Sequence, residues 1–317
     1  MTKILVTGAS GRLGSLLTRK LLDQGNEVTA ITSNPSFHSE ARLTSIQVDW
    51  SNFSLPALDE MDCVIHLAHQ TSAYLARQNV VTDVRENLLV TTQLVNHLKI
   101  RGSIPKFIYL GSLTEFGRGA LNPIQDAAPV KPETFYDAAK IATETYLEQF
   151  HNEGWIQQLV ILRLGNLYGL NSENFKNHRG FLDKSIGLAA QGFPLRCFGT
   201  GDYLRDFIHI EDVLEILVKA SVEGNREESE RLQLNVATGI GTSIIDALKT
   251  INYGLVELGR PSVEIQFSNF PPDSYPIETR SHFADISGAS RRFNWVPRVA
   301  LHEGVQASLR ACLAANQ

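Results

Sequence analysis

An apolar run, Ile4-Leu5-Val6-Thr7, stops on Gly8, and glycines recur at positions 11 and 14. A helical pattern follows at once over Ser15–Gln24, and Gly25 stands where a helix C′ glycine belongs. This order predicts strand, tight turn and helix. Glycines at 8, 11 and 14 let the backbone turn sharply, approach a ligand closely and pack helix on strand. The exposed N–H groups and dipole of the following helix favour an anion. Together they predict a pocket for the pyrophosphate of a dinucleotide.

The rest of the first half repeats the alternation. Glu27–Thr32, Ser45–Val48, Cys63–Ala68, Lys106–Leu110 and Leu159–Leu164 read as strands, while Asn87–Lys99 and Tyr136–Phe150 carry helical spacing. Alternating strands and helices imply a parallel sheet covered on both faces. After Gly169 the regularity fades, with a polar stretch Asn171–Arg179, a charged stretch Glu223–Arg231 and a proline-rich Phe270–Pro276. The expected architecture is α/β. Residues 1–169 form a doubly wound parallel sheet. Residues 170–317 form a smaller, irregular α/β lobe from which segments return to the first domain.

Charge narrows the partners. The 29 Lys and Arg against 34 Asp and Glu leave a net −5, which argues against nucleic acid and membrane surfaces. No apolar run approaches the ~20 residues of a membrane span. The N-terminus lacks the pattern of a signal peptide. Cys63, Cys197 and Cys312 are scattered and odd in number, with no CxxC motif. These features predict a cytoplasmic protein with reduced thiols and no metal.

Two further positions bear on the dinucleotide. Folds of this kind place a carboxylate after the second strand to hold a ribose 2′-hydroxyl. Here Thr32-Ser33-Asn34 stands there, which leaves room for a 2′-phosphate and turns the expectation from NAD toward NADP, with Arg12 as the nearest cation. Asp49, after the third strand, is placed to accept from an adenine amino group.

Tyr136 and Lys140 lie four apart, hence on one helical face. A phenol ionises near 10, and reaching about 7 takes roughly 4 kcal/mol at 1.36 per unit. A neighbouring ammonium and a cationic nicotinamide both favour the phenolate. Such a pair suits general acid–base work on an alcohol or sugar oxygen during hydride transfer. Ser112 stands at the carboxyl end of the preceding strand, where its hydroxyl is placed to stabilise charge on that oxygen. Thr114 is a second hydroxyl nearby.

The chain resembles the extended short-chain dehydrogenase/reductases, the NAD(P)-dependent nucleotide-sugar epimerases, dehydratases and reductases, over nearly its whole length. The resemblance lies in Thr7-Gly8-x-x-Gly11-x-x-Gly14, Val64-Ile65-His66-Leu67-Ala68, Asn87, the Ser112 strand, Tyr136-x-x-x-Lys140 and Leu162-Arg163-Leu164-Gly165-Asn166-Leu167-Tyr168-Gly169. It continues through Gly199-Thr200-Gly201, Arg205-Asp206-Phe207-Ile208-His209-Ile210, Asp285-Ile286-Ser287 and Trp295-Val296-Pro297. It implies a Rossmann-like fold, with Tyr136 as acid–base residue, Lys140 on the nicotinamide ribose and Ser112 polarising the substrate oxygen. It also implies cofactor contacts at Gly8, Gly11, Arg12, Leu13, Gly14, Asp49, Leu67, Ala68 and Asn87, and substrate contacts at Thr114, Asn166, Arg205 and Arg280. His209 is expected to be structural.

The chain departs from family patterns at several places. Where 4,6-dehydratases carry an acidic pair after the hydroxyl residue, Leu113 and Thr114 stand, which leaves elimination of water unsupported. Glu115, one residue on, is expected to face the other way on an extended segment. His69 and Phe116 replace the usual small residue and Tyr. The expected reaction is hydride transfer at a ring carbon, C4, of a nucleotide-linked sugar, with 4-keto reduction put ahead of 4-epimerisation by tightly bound NAD. A dinucleotide sensor without catalysis and an enzyme for a non-nucleotide ketone are further alternatives. By analogy the chain pairs as a homodimer through Asn87–Lys99 and Tyr136–Phe150.

Overall fold

The computed structural model describes residues 1–34, 37–50, 54–56, 58, 60–170, 180–222 and 229–315. The polar stretch expected over 171–179, and residues 223–228 of the charged stretch, lie outside the described residues.

The elements run β1 (Lys3–Thr7), α1 (Arg12–Asp23), β2 (Glu27–Thr32), β3 (Leu43–Gln47), β4 (Cys63–His66), α2 (Ala73–Gln78), α3 (Val80–Val84), α4 (Val90–Leu98), β5 (Ile104–Ser112), α5 (Phe135–Asn152) and β6 (Ile156–Leu164). Then come β7 (Asn166–Tyr168), α6 (Phe181–Ala190), β8 (Leu195–Phe198), β9 (Leu204–Arg205), β10 (Phe207–His209), α7 (Ile210–Val222), β11 (Glu230–Val236), β12 (Thr242–Ser243), α8 (Ile244–Glu257), β13 (Ile265–Ser268), α9 (Ser287–Phe293) and α10 (Leu301–Ala315).

Seven strands form one parallel sheet in the order β11-β6-β5-β4-β1-β2-β3. The direction of winding reverses between β1 and β4, and the crevice outside their carboxyl ends is where such sheets take ligands. Leu5, Val64, Phe107, Tyr109, Leu159 and Ile161 from the strands pack with Leu94, Val95 and Leu147 from the helices. Strands covered on both faces run apolar throughout, and Cys63–His66 is buried at every position. The helix expected over Asn87–Lys99 is α4 extended backwards through a wide π turn, Arg85–Leu89, to α3.

The chain divides into two compact units. The first is Met1–Gly117, Pro129–Arg163 and Leu214–Leu234; the second is Arg118–Ala128, Leu164–Val213 and Asn235–Gln317. The sequence places the main division at Gly169 with segments returning to the first domain; the compact units assign Leu214–Leu234 to the first and Arg118–Ala128 to the second. Leu214–Leu234 returns because β11 completes the sheet beside β6. Arg118–Ala128 belongs to the second unit because Asp126 and the Ile124 carbonyl receive the Asn235 backbone N–H and side-chain amide at 2.6 and 2.9 Å.

The second unit has its own core, with Tyr168, Leu182, Ile186, Leu195, Phe207, Leu248, Ile251, Val305 and Leu309. Two buried aspartates tie its loops. Asp206 accepts from the N–H groups of Thr238, Gly239 and Ala284 at 2.7, 2.9 and 3.2 Å. Asp212 accepts from those of Arg298 and Val299, and its carbonyl accepts from the Trp295 indole at 3.0 Å.

Candidate active site

The glycine turn sits at the predicted crevice. Gly8 has φ +65°, and a Cβ there would lie 2.9 Å from the Ala68 nitrogen, so the turn and the strand end Leu67-Ala68 are in direct contact. A Cβ on Gly14 would run into the Gly8 carbonyl oxygen. Helix α1 starts at Arg12, three residues earlier than its apolar spacing suggests, with no side chain capping its N-terminus. Arg12 and Leu13 occupy its first turn, half-buried, and Asp49 lies exposed after β3. At the end of β2 the Thr32 hydroxyl donates to Ser10 at 2.6 Å.

Below the turn runs a polar chain. Thr7 Oγ1 accepts from the N–H groups of Leu67 and Ala68, both at 3.1 Å, so its proton goes to His66 Nδ1 at 2.7 Å. His66 Nε2 then donates to Thr91 Oγ1 at 2.9 Å, and Thr91 donates to the Asn87 carbonyl at 2.7 Å. Burial, with Lys140 nearby, pushes the His66 imidazole down to about 3. Asn87 donates its amide to the carbonyl and carboxylate of Asp83 at 2.9 Å each. Its Oδ1 and both ring nitrogens of His69 are buried with no hydrogen-bond partner among the described residues. Uncapped N–H groups, a turn cleared of side chains and buried acceptors awaiting a donor fit a dinucleotide cofactor.

Ser112, Thr114, Tyr136 and Lys140 come together in the first unit. The segment after β5 is a 3₁₀ turn, Leu113–Phe116, rather than the extended chain expected. The Ser112 hydroxyl lies beside the Tyr136 phenol, where donation to it favours the phenolate, and is 2.9 Å from Thr114 Oγ1. Thr114 donates to Asp137 Oδ1 at 2.6 Å. Asp137 Oδ2 accepts from Thr134 Oγ1 and N–H at 2.8 and 3.1 Å and from the Glu133 N–H at 3.4 Å, which caps α5. Burial, with the Glu115 and Asp137 carboxylates, raises the phenol of Tyr136 above its ordinary value. Lys140 Nζ donates to the Leu110 carbonyl at 2.7 Å and lies 5.9 Å from the centre of the Tyr136 ring. Burial draws its ammonium down to about 7, against the pull of Glu115, Glu144 and Asp83.

Glu115 does point away from Thr114, but inward rather than to solvent. It accepts the Ser112 N–H at 2.6 Å and pairs with Arg163 Nε at 3.1 Å, while Arg163 Nη2 holds Glu144 at 2.6 Å. Burial and the neighbouring Glu144 raise the Glu115 carboxyl well above the usual range. Gly111 makes room for this group, since a Cβ there would lie 2.9 Å from Arg163 Cγ. Sequence reasoning passed over Asp137, Glu144 and Arg163 as parts of this site. Thr134-x-x-Asp137 was legible as a capping box, which signals a helix start and not a site.

In the second unit Arg205 and Arg280 lie together. The Arg205 guanidinium is buried and donates to the carbonyls of Leu204, Glu278 and Arg280. Burial and the Arg280 charge disfavour its cationic form. Asn166 pairs in register with Phe207, and its N–H donates to the Asp206 carbonyl at 2.7 Å. His209 accepts from the Glu211 N–H and lies edge-on to Tyr168, a packing role.

A parallel sheet, a glycine turn at its winding reversal and a Ser–Tyr–Lys cluster at the neighbouring strand end define an extended short-chain dehydrogenase/reductase. The chain belongs to the NAD dependent epimerase/dehydratase family, whose pattern matches residues 4–237. It is 27% identical over 320 residues to UDP-glucose 4-epimerase of Mycolicibacterium smegmatis, covering 96% of each chain. It is 26% identical over 318 residues to UDP-glucuronic acid decarboxylase 3 of Arabidopsis thaliana, covering 96% of this chain and 86% of that one. The solved UDP-glucuronic acid 4-epimerase from Bacillus cereus, in complex with UDP-glucuronic acid and NAD, superposes with a TM-score of 0.82 at 27% identity, over 98% of each chain. Among the described residues no helix is long and apolar enough to cross a membrane.

Proposed function

We propose that the protein is an NAD-dependent enzyme that acts at C4 of a nucleotide-linked sugar and leaves the cofactor in its starting redox state, a 4-epimerase. The observation that carries this reading is the Tyr136 phenol, on one helix with Lys140, whose Nζ lies 5.9 Å from its ring, and beside Ser112 at the end of β5. When bound, the nicotinamide supplies the hydride acceptor and, in its oxidised form, a positive charge. Tyr136 takes the proton of the substrate hydroxyl and gives it back from the same oxygen. Lys140, held by the Leu110 carbonyl, favours the phenolate and is placed for the cofactor ribose. Gly8, Gly11, Arg12, Leu13 and Gly14 hold the pyrophosphate, with Leu67, Ala68, Asn87 and Asp49 as further cofactor contacts. Thr114, Asn166, Arg205 and Arg280 are proposed on the substrate side. Elimination of water is disfavoured because Glu115, the nearest acid after Ser112, is held by Arg163.

A second reading, reduction of a 4-keto sugar by NADPH, draws on one observation, the absence of a carboxylate at Thr32-Ser33-Asn34. The test is incubation of purified protein with UDP-galactose, UDP-glucuronic acid or UDP-N-acetylglucosamine and catalytic NAD, with products resolved by anion exchange. Interconversion of C4 epimers without accumulating NADH is the expected result, and Tyr136→Phe lowers turnover about 10²–10⁴-fold. Consumption of NADPH on a 4-keto sugar with no epimer formed overturns it in favour of the second reading. The homodimer is carried as a proposal on the exposed Val81, Val84 and Leu89 and, on α5, Phe135 and Tyr146; light scattering tests it.

A further inference from the structure

We propose that Asp137, acting through Thr114, fixes which way the Ser112 hydroxyl points and so sets the hydrogen bond that Ser112 presents to Tyr136. The argument is a count of protons. Thr134 Oγ1 accepts the Asp137 N–H at 3.1 Å, so its own proton goes to Asp137 Oδ2, where the N–H groups of Thr134 and Glu133 also donate. That oxygen is an acceptor by necessity. Oδ1 faces Thr114 Oγ1 at 2.6 Å, and a carboxylate only accepts, so Thr114 spends its single proton there. The Thr114–Ser112 contact at 2.9 Å then has one donor left, Ser112. Ser112 Oγ is thereby an acceptor toward the site as well as for the Thr114 N–H at 3.2 Å. The protonated phenol of Tyr136 donates to it, and a phenolate gains a bond from Ser112 only if Ser112 gives up Thr114.

Asp137 is a positioning residue in this account. It deepens the reading of Tyr136 as the acid–base group and rests on it. The charged or titratable groups that face Tyr136 are Glu115 from the 3₁₀ turn, Asp83 from α3, Tyr109 from β5, and Asp137 and Lys140 on α5. Asp137→Asn makes a definite change. The amide oxygen must take the Oδ2 place, because three donors point at it, so the NH₂ group faces Thr114. Thr114 then donates to Ser112, and Ser112 to Tyr136, which reverses the whole row and stabilises the phenolate.

The experiment replaces tyrosine by fluorotyrosine, which ionises at lower pH, and follows the ¹⁹F resonance of residue 136, assigned through Tyr136→Phe, with and without NAD. Asp137→Asn and Thr114→Val are each expected to titrate about one unit below the parent protein. Thr114→Ser keeps the parent value, and the Asp137→Asn/Thr114→Val pair moves by less than the two shifts added. Additive shifts overturn the proposal, since they make Asp137 a distant charge and no more; so does a Thr114→Val titration that stays at the parent value. Circular dichroism checks folding, and Thr114→Ala replaces Thr114→Val if the latter unfolds. The resonance reports without turnover. An inactive protein on every nucleotide sugar therefore refutes the proposed reaction and leaves this result standing.

Discussion

Arg163→Met removes the cation from a group in which Arg163, Glu115 and Glu144 side chains are 6%, 0% and 4% exposed. The methionine keeps part of the apolar stem but loses the guanidinium, which sits 5.2 Å over the Phe116 ring. What is lost is the partner of two buried carboxyls, and breaking such a pair costs about 3–5 kcal/mol. Against a total stability of roughly 5–15 kcal/mol, that is a large share. The pH sign follows from linkage. Glu115 is already raised by burial and Glu144, and without Arg163 it rises further. A group with a raised folded pKa binds its proton more tightly in the fold, so the variant gains stability as pH falls and loses it as pH rises. Urea unfolding of parent and variant, followed by the fluorescence of Trp50, Trp155 and Trp295, should therefore show a gap that is wide at pH 7.5 and narrower at pH 5. Replacing Glu115 and Glu144 together with Arg163 by apolar residues should recover much of the loss. A gap below about 1 kcal/mol that does not change with pH would refute the reasoning, since it would mean that water already screens the group.

Two further outcomes follow from the same geometry. Gly14→Ala places a methyl group against the Gly8 carbonyl and 2.9 Å from Ala9 Cα, so the turn must shift; NAD binding by calorimetry is expected to weaken about 5- to 150-fold, in line with a 1–3 kcal/mol strain. Asp206→Ala leaves the N–H groups of Thr238, Gly239 and Ala284 without their acceptor, and thermal unfolding should report a loss of about 3 kcal/mol or more. An Asp206→Ala protein within 1 kcal/mol of its parent (about a fivefold change at most) would show that water replaces the carboxylate.

The parts of the fold and site that local sequence reveals are those whose cause is local. β2 falls where Glu27–Thr32 was expected, because Val28, Ala30 and Ile31, buried in the core, lie within one short run. Tyr136 and Lys140 share a face because one helix carries both, and Ser112 ends its strand as expected. Glu115, Glu144 and Arg163 escape such reading because three separate elements, the 3₁₀ turn, α5 and β6, bring them together. That segments return to the first domain was expected, but not which; Leu214–Leu234 is identified only because β11 pairs with β6. The wide turn Arg85–Leu89 that sets the Asn87 side chain keeps the apolar spacing of an ordinary helix.

The row from Thr7 through His66 and Thr91 to the Asn87 carbonyl joins two central strands to a covering helix. A histidine beside a cofactor turn is commonly the element that senses acidity. Here each ring nitrogen has a fixed duty, one receiving and one giving, and the ring stays uncharged down to about pH 3. Its length and two-ended bonding hold the spacing between strand and helix. His66 works as a ruler, and the spacing it sets between β4 and the covering helix does not answer to acidity above about pH 3.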